Sequence, residues 1–429
     1  MSEFDETGCS EYNALSRREL FKGVGAAAVA ASALAWIPQV AFAQSHNSTR
    51  DVLVSIYQRG GADGLSLCAP VGDADYYAPT VRPTIALPRP DSTDPNKSVS
   101  LDGFFAFPKA MSSLMGAYNA KNLLVVHATG SIDPTRSHFD AQRFMEAGVP
   151  EDASVSTGWL GRHLGTVAPL SASAPLRALS LNYAVPLTLA GADKTLPIPN
   201  PGNFGLYGNS RTELAREQWL STDYHQGSDP VKSAADNTLN TIALLKKIDF
   251  ANYKPAGGAV YPTTSFGNGL RAAAALIKAQ VGVEAIHIDI GGWDTHSGEN
   301  PINGYLANLM KDYADSIAAF HADIFSGTVK NVTLISMSEF GRNVRENASK
   351  GTDHGHGNCM FVMGDSVAGG RVLSKWPGLH QDELYQGQDL QVTTDHRDIL
   401  AEIVQKRLDN MALSFIFPNF TPTFRGVIG

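Results

Sequence analysis

Apolar runs of five to seven residues, rich in Val, Ile and Leu, recur along the chain and break off sharply at glycine or polar clusters. DVLVSIY (51–57) ends at QRGGADGLS, NLLVVHATG (122–130) at SIDPTRSH, AIHIDI (285–290) at GGWDTHSGE, and VTLISMS (332–338) at EFGR. Runs of this length with no alternation read as strands buried on both faces, the mark of a parallel sheet. Between them lie helical periods. A helix is predicted after Pro108, another from Ser137 onward with Phe139, Phe144 and Met145 on it, and an Ala-rich one over Leu270–Val281. Leu306, Leu309, Tyr313, Ile317 and Phe320 keep helical spacing and supply a crossover to the next strand. A last helix opens at Thr394 or Asp395 and buries Ile399, Leu400 and Ile403. The expected fold class is therefore α/β, a mainly parallel sheet flanked by helices. The stretch 71–99 reads as surface loop, and 150–262, with its Pro/Gly/Asn-rich centre, as an insertion or cap over one side of the sheet edge. No repeat of fixed period is present.

In open α/β sheets, chemistry gathers at the carboxyl ends of the strands. Here the polar clusters that close the runs hold Asp294 and His296, then Glu339, then Asp353, His354 and His356 in GTDHGHGNCMFVMG. Three successive clusters of metal-ligating types make these the candidate ligand set. Asp63, in the glycine turn after the first strand, is a further edge carboxylate, and that turn fits no nucleotide fingerprint. Ser137 has two readings. It is a good N-cap, and it is also a hydroxyl presented at a strand end, where free helix N–H groups favour negative charge.

At 429 residues, 43% hydrophobic and 18% charged, the chain can bury a large core. A net charge of −8 gives no footing for nucleic acid. Before the globular part, Ser16, Arg17, Arg18, Glu19, Leu20, Phe21 and Lys22 precede a weakly apolar run to Ile37 and a small-residue site at Ala41–Ala43. That is the pattern of a twin-arginine signal cut after Ala43, with residues 44–429 as one large domain. The run is short, Ala-rich and closed by Pro38, which argues against a stable membrane anchor. Cys9 leaves with the signal. Cys68 and Cys359 could pair in an oxidising compartment, although their apolar flanks favour two buried thiols.

The segments RGGADGLS, TRSHFDAQ, GGWDTHSGE, SEFGR and DHGHG, behind a twin-arginine signal, resemble the exported bacterial domain-of-unknown-function family numbered fifteen hundred and one. That family is grouped with the alkaline phosphatase, sulfatase and phosphoglycerate mutase superfamily. The resemblance implies an alkaline phosphatase/sulfatase-like fold, a Ser or Thr nucleophile at a helix N-terminus, and one or two divalent metals held at strand ends. It puts Asp294 and His296 in ligand places, Glu339 in the place of an Asp, and His354 or His356, with Asp353 beside them, in the slot of a later ligand His. Phe340 falls where the superfamily has a His, a departure that removes a nitrogen ligand. Ser137 lies near the nucleophile position, with Thr135 as the alternative.

A mixed Asp/Glu/His set suits zinc or manganese, and a carboxylate-heavy version calcium or magnesium. The expected function is metal-dependent hydrolysis of phosphate or sulfate esters in the periplasm, with Ser137 or metal-activated water attacking and Arg136 or Arg342 gripping the anion. Expected partners are a small anionic ester or a sulfated or phosphorylated polymer, and the twin-arginine export machinery. The competing expectation is a non-catalytic periplasmic binding or scaffold protein whose site has decayed.

Overall fold

The computed structural model describes residues 50–429, save 228, 230 and 328. The twin-arginine pattern and the cleavage site at residue 43 lie outside the described residues. Eleven strands follow in chain order: β1 Val52–Gln58, β2 Val99–Ser100, β3 Ala106–Phe107, β4 Leu123–Gly130, β5 Ala178–Ser180, β6 Thr195–Pro197, β7 Ala285–Ile290, β8 Val332–Ser338, β9 Asn358–Gly364, β10 Arg371–Leu373 and β11 Thr394–Asp395. All but β2 and β3 join one nine-stranded sheet, ordered β10-β4-β9-β8-β1-β7-β5-β6, with β11 beside β4. Every pairing in it is parallel except those of β9, which runs antiparallel to both β4 and β8. The sheet is thus mainly parallel, and the amino end of β9 lies at the edge where β1, β4, β7 and β8 have their carboxyl ends. The register is level there: Gln58 stands between Ile290 and Ser338.

The seven longer helices are α1 His138–Ala147, α2 Trp159–Thr166, α3 Glu213–His225, α4 Val231–Leu245, α5 Ser265–Lys278, α6 Tyr305–Phe325 and α7 His396–Lys406. Strand side chains alternate between two apolar layers. Val54, Ile56, Val125, Leu334 and Phe361 pack with Leu270 of α5 and with Met310 and Ile317 of α6. Leu53, Tyr57, Val126, Met337 and Val362 pack on the opposite face with Met145, Leu160 and Ile399 of α1, α2 and α7. Burial on both faces is why these strands read as unbroken apolar runs.

Several elements differ from the pattern reading at their ends. The helix after Pro108 opens as a 3-10 turn, Lys109–Leu114, before one α-helical turn. The Ala-rich helix starts five residues early, because the Thr264 hydroxyl accepts from Gly267 N at 3.0 Å and caps it. The region 150–262 adds β5 and β6 to the sheet edge as well as supplying α3 and α4. Asp395 caps α7 through Arg397 N, and His396 is buried with Nδ1 on Gly130 O. Cys68 and Cys359 are both buried free thiols. Among the described residues, no helix is long and apolar enough to cross a membrane.

Candidate metal centre

Five segments meet at the carboxyl edge: the glycine turn after β1, the start of α1 after β4, the loop after β7, the residues after β8 that include Glu339 and Arg342, and the DHGHG segment before β9. The last arrives because β9 is reversed, so its leading residues sit where its neighbours end. At the centre is Asp294, 13% exposed. His296 Nε2 lies 3.0 Å and His354 Nε2 3.3 Å from its Oδ1, and His138 Nε2 lies 3.5 Å from its Oδ2. His296 Nε2 and His354 Nε2 are 2.9 Å apart. Among the described residues, His138, Asp294 and His354 form the group whose donor atoms all fall within 4.8 Å of one another.

The other nitrogen of each imidazole is tied down. His138 Nδ1 is 2.9 Å from Glu339 Oε1, His296 Nδ1 2.9 Å from Asp353 Oδ1, and His354 Nδ1 2.8 Å from the Arg136 carbonyl. These acceptors carry no proton at neutral pH, so each Nδ1 donates, and in the neutral ring Nε2 then carries the lone pair on the side of Asp294. Lone pairs 2.9 Å apart repel unless a cation or a proton stands between them. Metal bonds of about 2.0 to 2.1 Å put neighbouring donors roughly 2.9 to 3.4 Å apart, which matches this spacing. The charges agree in sign: Arg342 pairs with Asp294, while buried Glu339 has only the His138 imidazole as its ionic partner among the described residues, so a cation on the imidazoles would be favoured. The residues present fit a divalent metal ion.

The pKa directions report the same field. Burial alone would lower His138, yet its bonds to Asp294 and Glu339 carry it up to about 9. The bond to Asp294 raises His296. Burial opposes ionisation of Asp294, but the three imidazoles and Arg342 hold it well below the ordinary carboxylate range. Glu339, fully buried, is likewise held down by His138 and Gln142. A metal ion at His138 Nε2 would therefore compete with a proton.

Of the residues expected at the site, Asp294, His296 and His354 come together, with Glu339 and Asp353 behind two of the imidazoles. The others go elsewhere. Asp63 is buried in a bidentate pair with Arg82, at 2.5 and 2.9 Å, so its carboxylate is already neutralised away from the cluster. Arg342 is wholly buried. Its donors go to the carbonyls of Gly60, Gly61, Thr352 and Trp293 and to Asp294 Oδ1 at 2.6 Å, so it binds the loops together and cannot grip an ester. The Arg136 guanidinium is 2.6 Å from Asp389 Oδ2, and only its backbone carbonyl serves the cluster. His356 stacks on Tyr385 with ring centroids 4.5 Å apart and makes no contact with Asp294. Ser137 is the N-cap residue of α1, with extended backbone and no capping hydrogen bond from its hydroxyl.

His138 falls outside the ligand set read from the sequence, where its neighbour Ser137 is the candidate in that segment. The rule used for the other clusters, a His in the polar break after a buried strand, would have found it. Phe340 packs 4.9 Å from both His138 and His354.

Among solved structures, the chain is similar to a protein in the alkaline phosphatase superfamily from Vibrio parahaemolyticus, at 10% identity and a TM-score of 0.34 over 85% of this chain and 73% of that one. It is similar to the phosphonate monoester hydrolase of Agrobacterium radiobacter at 12% and 0.32, covering 88% and 79%. With the alkaline phosphatase of the Antarctic bacterium TAB5 the values are 11% and 0.29, covering 76% and 95%. Likeness this distant says nothing of activity. No curated protein matches the chain. The model of a family described as proteins of unknown function, DUF1501, matches residues 50–409, and the chain belongs to that family.

Proposed function

We propose that this protein is a metal-dependent hydrolase of anionic phosphate or sulfate esters, working with zinc or manganese in the periplasm after twin-arginine export. One observation carries the reading: three imidazoles, each with Nδ1 held by a proton-free acceptor, turn Nε2 toward the same carboxylate. His138, Asp294 and His354 would hold the ion, with His296 beside them on the more exposed side, where 34% of its side chain meets solvent. A bound divalent ion would supply Lewis acidity to an ester oxygen and ease deprotonation of an attacking hydroxyl. The chain's own contribution is placement. Ser137 begins α1 one residue from His138, so its hydroxyl shares the helix N-terminus, whose free N–H groups favour an alkoxide.

A second reading, a metal-holding protein without turnover, gains support from the two arginines, since both are engaged with carboxylates of the protein itself. One set of measurements separates the two. Protein purified without chelators should contain about one equivalent of zinc or manganese per chain and turn over some phosphate or sulfate ester. Ser137→Ala should then lower turnover by orders of magnitude at unchanged metal content. Metal without turnover on any ester class supports the second reading, and absence of metal defeats both. Replacing Arg17 and Arg18 together by Lys should leave precursor in the cytoplasm, and normal export would point to another route.

A further inference from the structure

Three polar side chains share one face of α1. His138, Gln142 and Glu146 stand four residues apart, the spacing that sets side chains one above another on a helix. All three are bonded to groups at the ends of β1 and β8: Arg59, which follows Gln58, and Glu339, which follows Ser338. The Arg59 guanidinium is held from three sides. Its Nη1 bonds Glu146 Oε1, its Nε lies 3.0 Å from Asp289 Oδ1, and its Cζ sits 4.0 Å from the centre of the Tyr57 ring. Glu146 is fixed in turn, since its Oε2 accepts from Thr188 N at 2.8 Å and from the Thr188 hydroxyl at 3.1 Å.

Gln142 stands between Arg59 and Glu339. Arg59 Nη1 donates to its Oε1 at 3.3 Å, and its Nε2 donates to Glu339 Oε1 at 2.9 Å. A carboxamide can turn by half a circle with little change of shape, exchanging oxygen for nitrogen. Here only one orientation bonds. A guanidinium is a donor alone, and Glu339 Oε1, which also takes Gly60 N at 2.8 Å, is an acceptor. The turned amide would set N–H against N–H and oxygen against carboxylate, two repulsions in place of two bonds. The same Glu339 oxygen receives His138 Nδ1.

We propose that Arg59 and Gln142 are positioning residues of the metal centre: Arg59 fixes the Gln142 amide, and Gln142 fixes Glu339 where it holds His138. Both act through Glu339 and not as ligands. The proposal rests on the reading that His138 holds a divalent ion, which the hydrolase and the metal-holding protein share.

Zinc affinity of the full chain, measured by competition with a chromophoric chelator, tests it. Gln142→Met matches glutamine in length but has no donor for Glu339, and should bind zinc about tenfold more weakly. Removing a positive charge near a cation site tightens binding if charge alone matters. The relay predicts the opposite sign. Arg59→Met should weaken binding by about tenfold in the parent and not at all in the Gln142→Met background. Parental affinity in Gln142→Met, tighter binding in Arg59→Met, or the same loss from Arg59→Met in both backgrounds overturns the proposal. Should Arg59→Met fail to fold, because Glu146 and Asp289 then lack their cation, Gln142→Met decides alone. A parent that binds neither zinc nor manganese overturns the metal reading, and this proposal with it.

Discussion

Glu339 shows how much of a candidate metal centre lies behind the side chains that would hold the ion. Its Oε1 receives Gly60 N at 2.8 Å and both His138 Nδ1 and Gln142 Nε2 at 2.9 Å, and the Ser338 hydroxyl lies 2.9 Å from Oε2. This fixes the His138 tautomer and strengthens Nε2 as a donor. Glu339→Gln keeps the shape and an acceptor but loses the charge. Zinc affinity measured by competition with a chromophoric chelator should fall by about 10- to 100-fold, with little change in melting temperature. Affinity equal to that of the parent would mean that Glu339 serves the fold alone. The same residue marks the limit of sequence reading. Its place in a strand-end cluster was legible, but whether it touches the ion or a ligand of the ion depends on side-chain direction. Asp63 and Arg342 fail in a similar way, since the residue type suits a site while the partners, Arg82 for one and four loop carbonyls 10 to 282 residues away for the other, are set by how the loops fold.

At the scale of elements, the long strands were legible because burial on both faces leaves a continuous apolar run. The three-residue strands at the sheet edge carry too few side chains to show a pattern. The direction of β9 was not legible either, since an apolar run does not encode polarity. Yet this reversal is what brings His354 to Asp294. The glycine turn after β1 is equally decisive. Gly60 and Gly61 have φ of +121° and +67°, and a Cβ on Gly61 would stand 2.4 Å from the Phe340 ring. Phe340 packs against both His138 and His354, which also touch each other, so a shift of its ring disturbs the packing of both imidazoles. Gly61→Ala should therefore destabilise the protein by about 2 to 5 kcal/mol in denaturant melts and weaken metal binding at the same time. A variant that loses stability but keeps full zinc affinity would show that Phe340 relaxes away from the ligands.

On the scale of the whole molecule, buried ionisable groups tilt stability with pH in opposite senses. His127 and His163 are pressed down to about 4 and about 3 by burial, so they stay neutral in the fold and cost stability as acid protonates the unfolded chain below about 6.5. Glu299 works the other way. It is wholly buried beside Asp63, and burial together with that neighbour raises it to about 8. Thr352 Oγ1 lies 2.7 Å from its Oε2. In the fold it keeps its proton up to that value, whereas in the unfolded chain it loses it near 4.5. Between these two limits the native state binds one more proton than the unfolded state, so stability is fully present below the lower pKa and falls by about 1 kcal/mol per pH unit toward the upper one. Gln at 299 resembles the protonated acid at every pH and can donate to Asp63 as that acid does. The difference in unfolding free energy between Glu299→Gln and the parent, taken from urea melts, should therefore grow in favour of the variant from pH 5 to pH 8 and then level off. A constant difference across that range would mean that Glu299 is ionised throughout and that Arg82 carries both carboxylates.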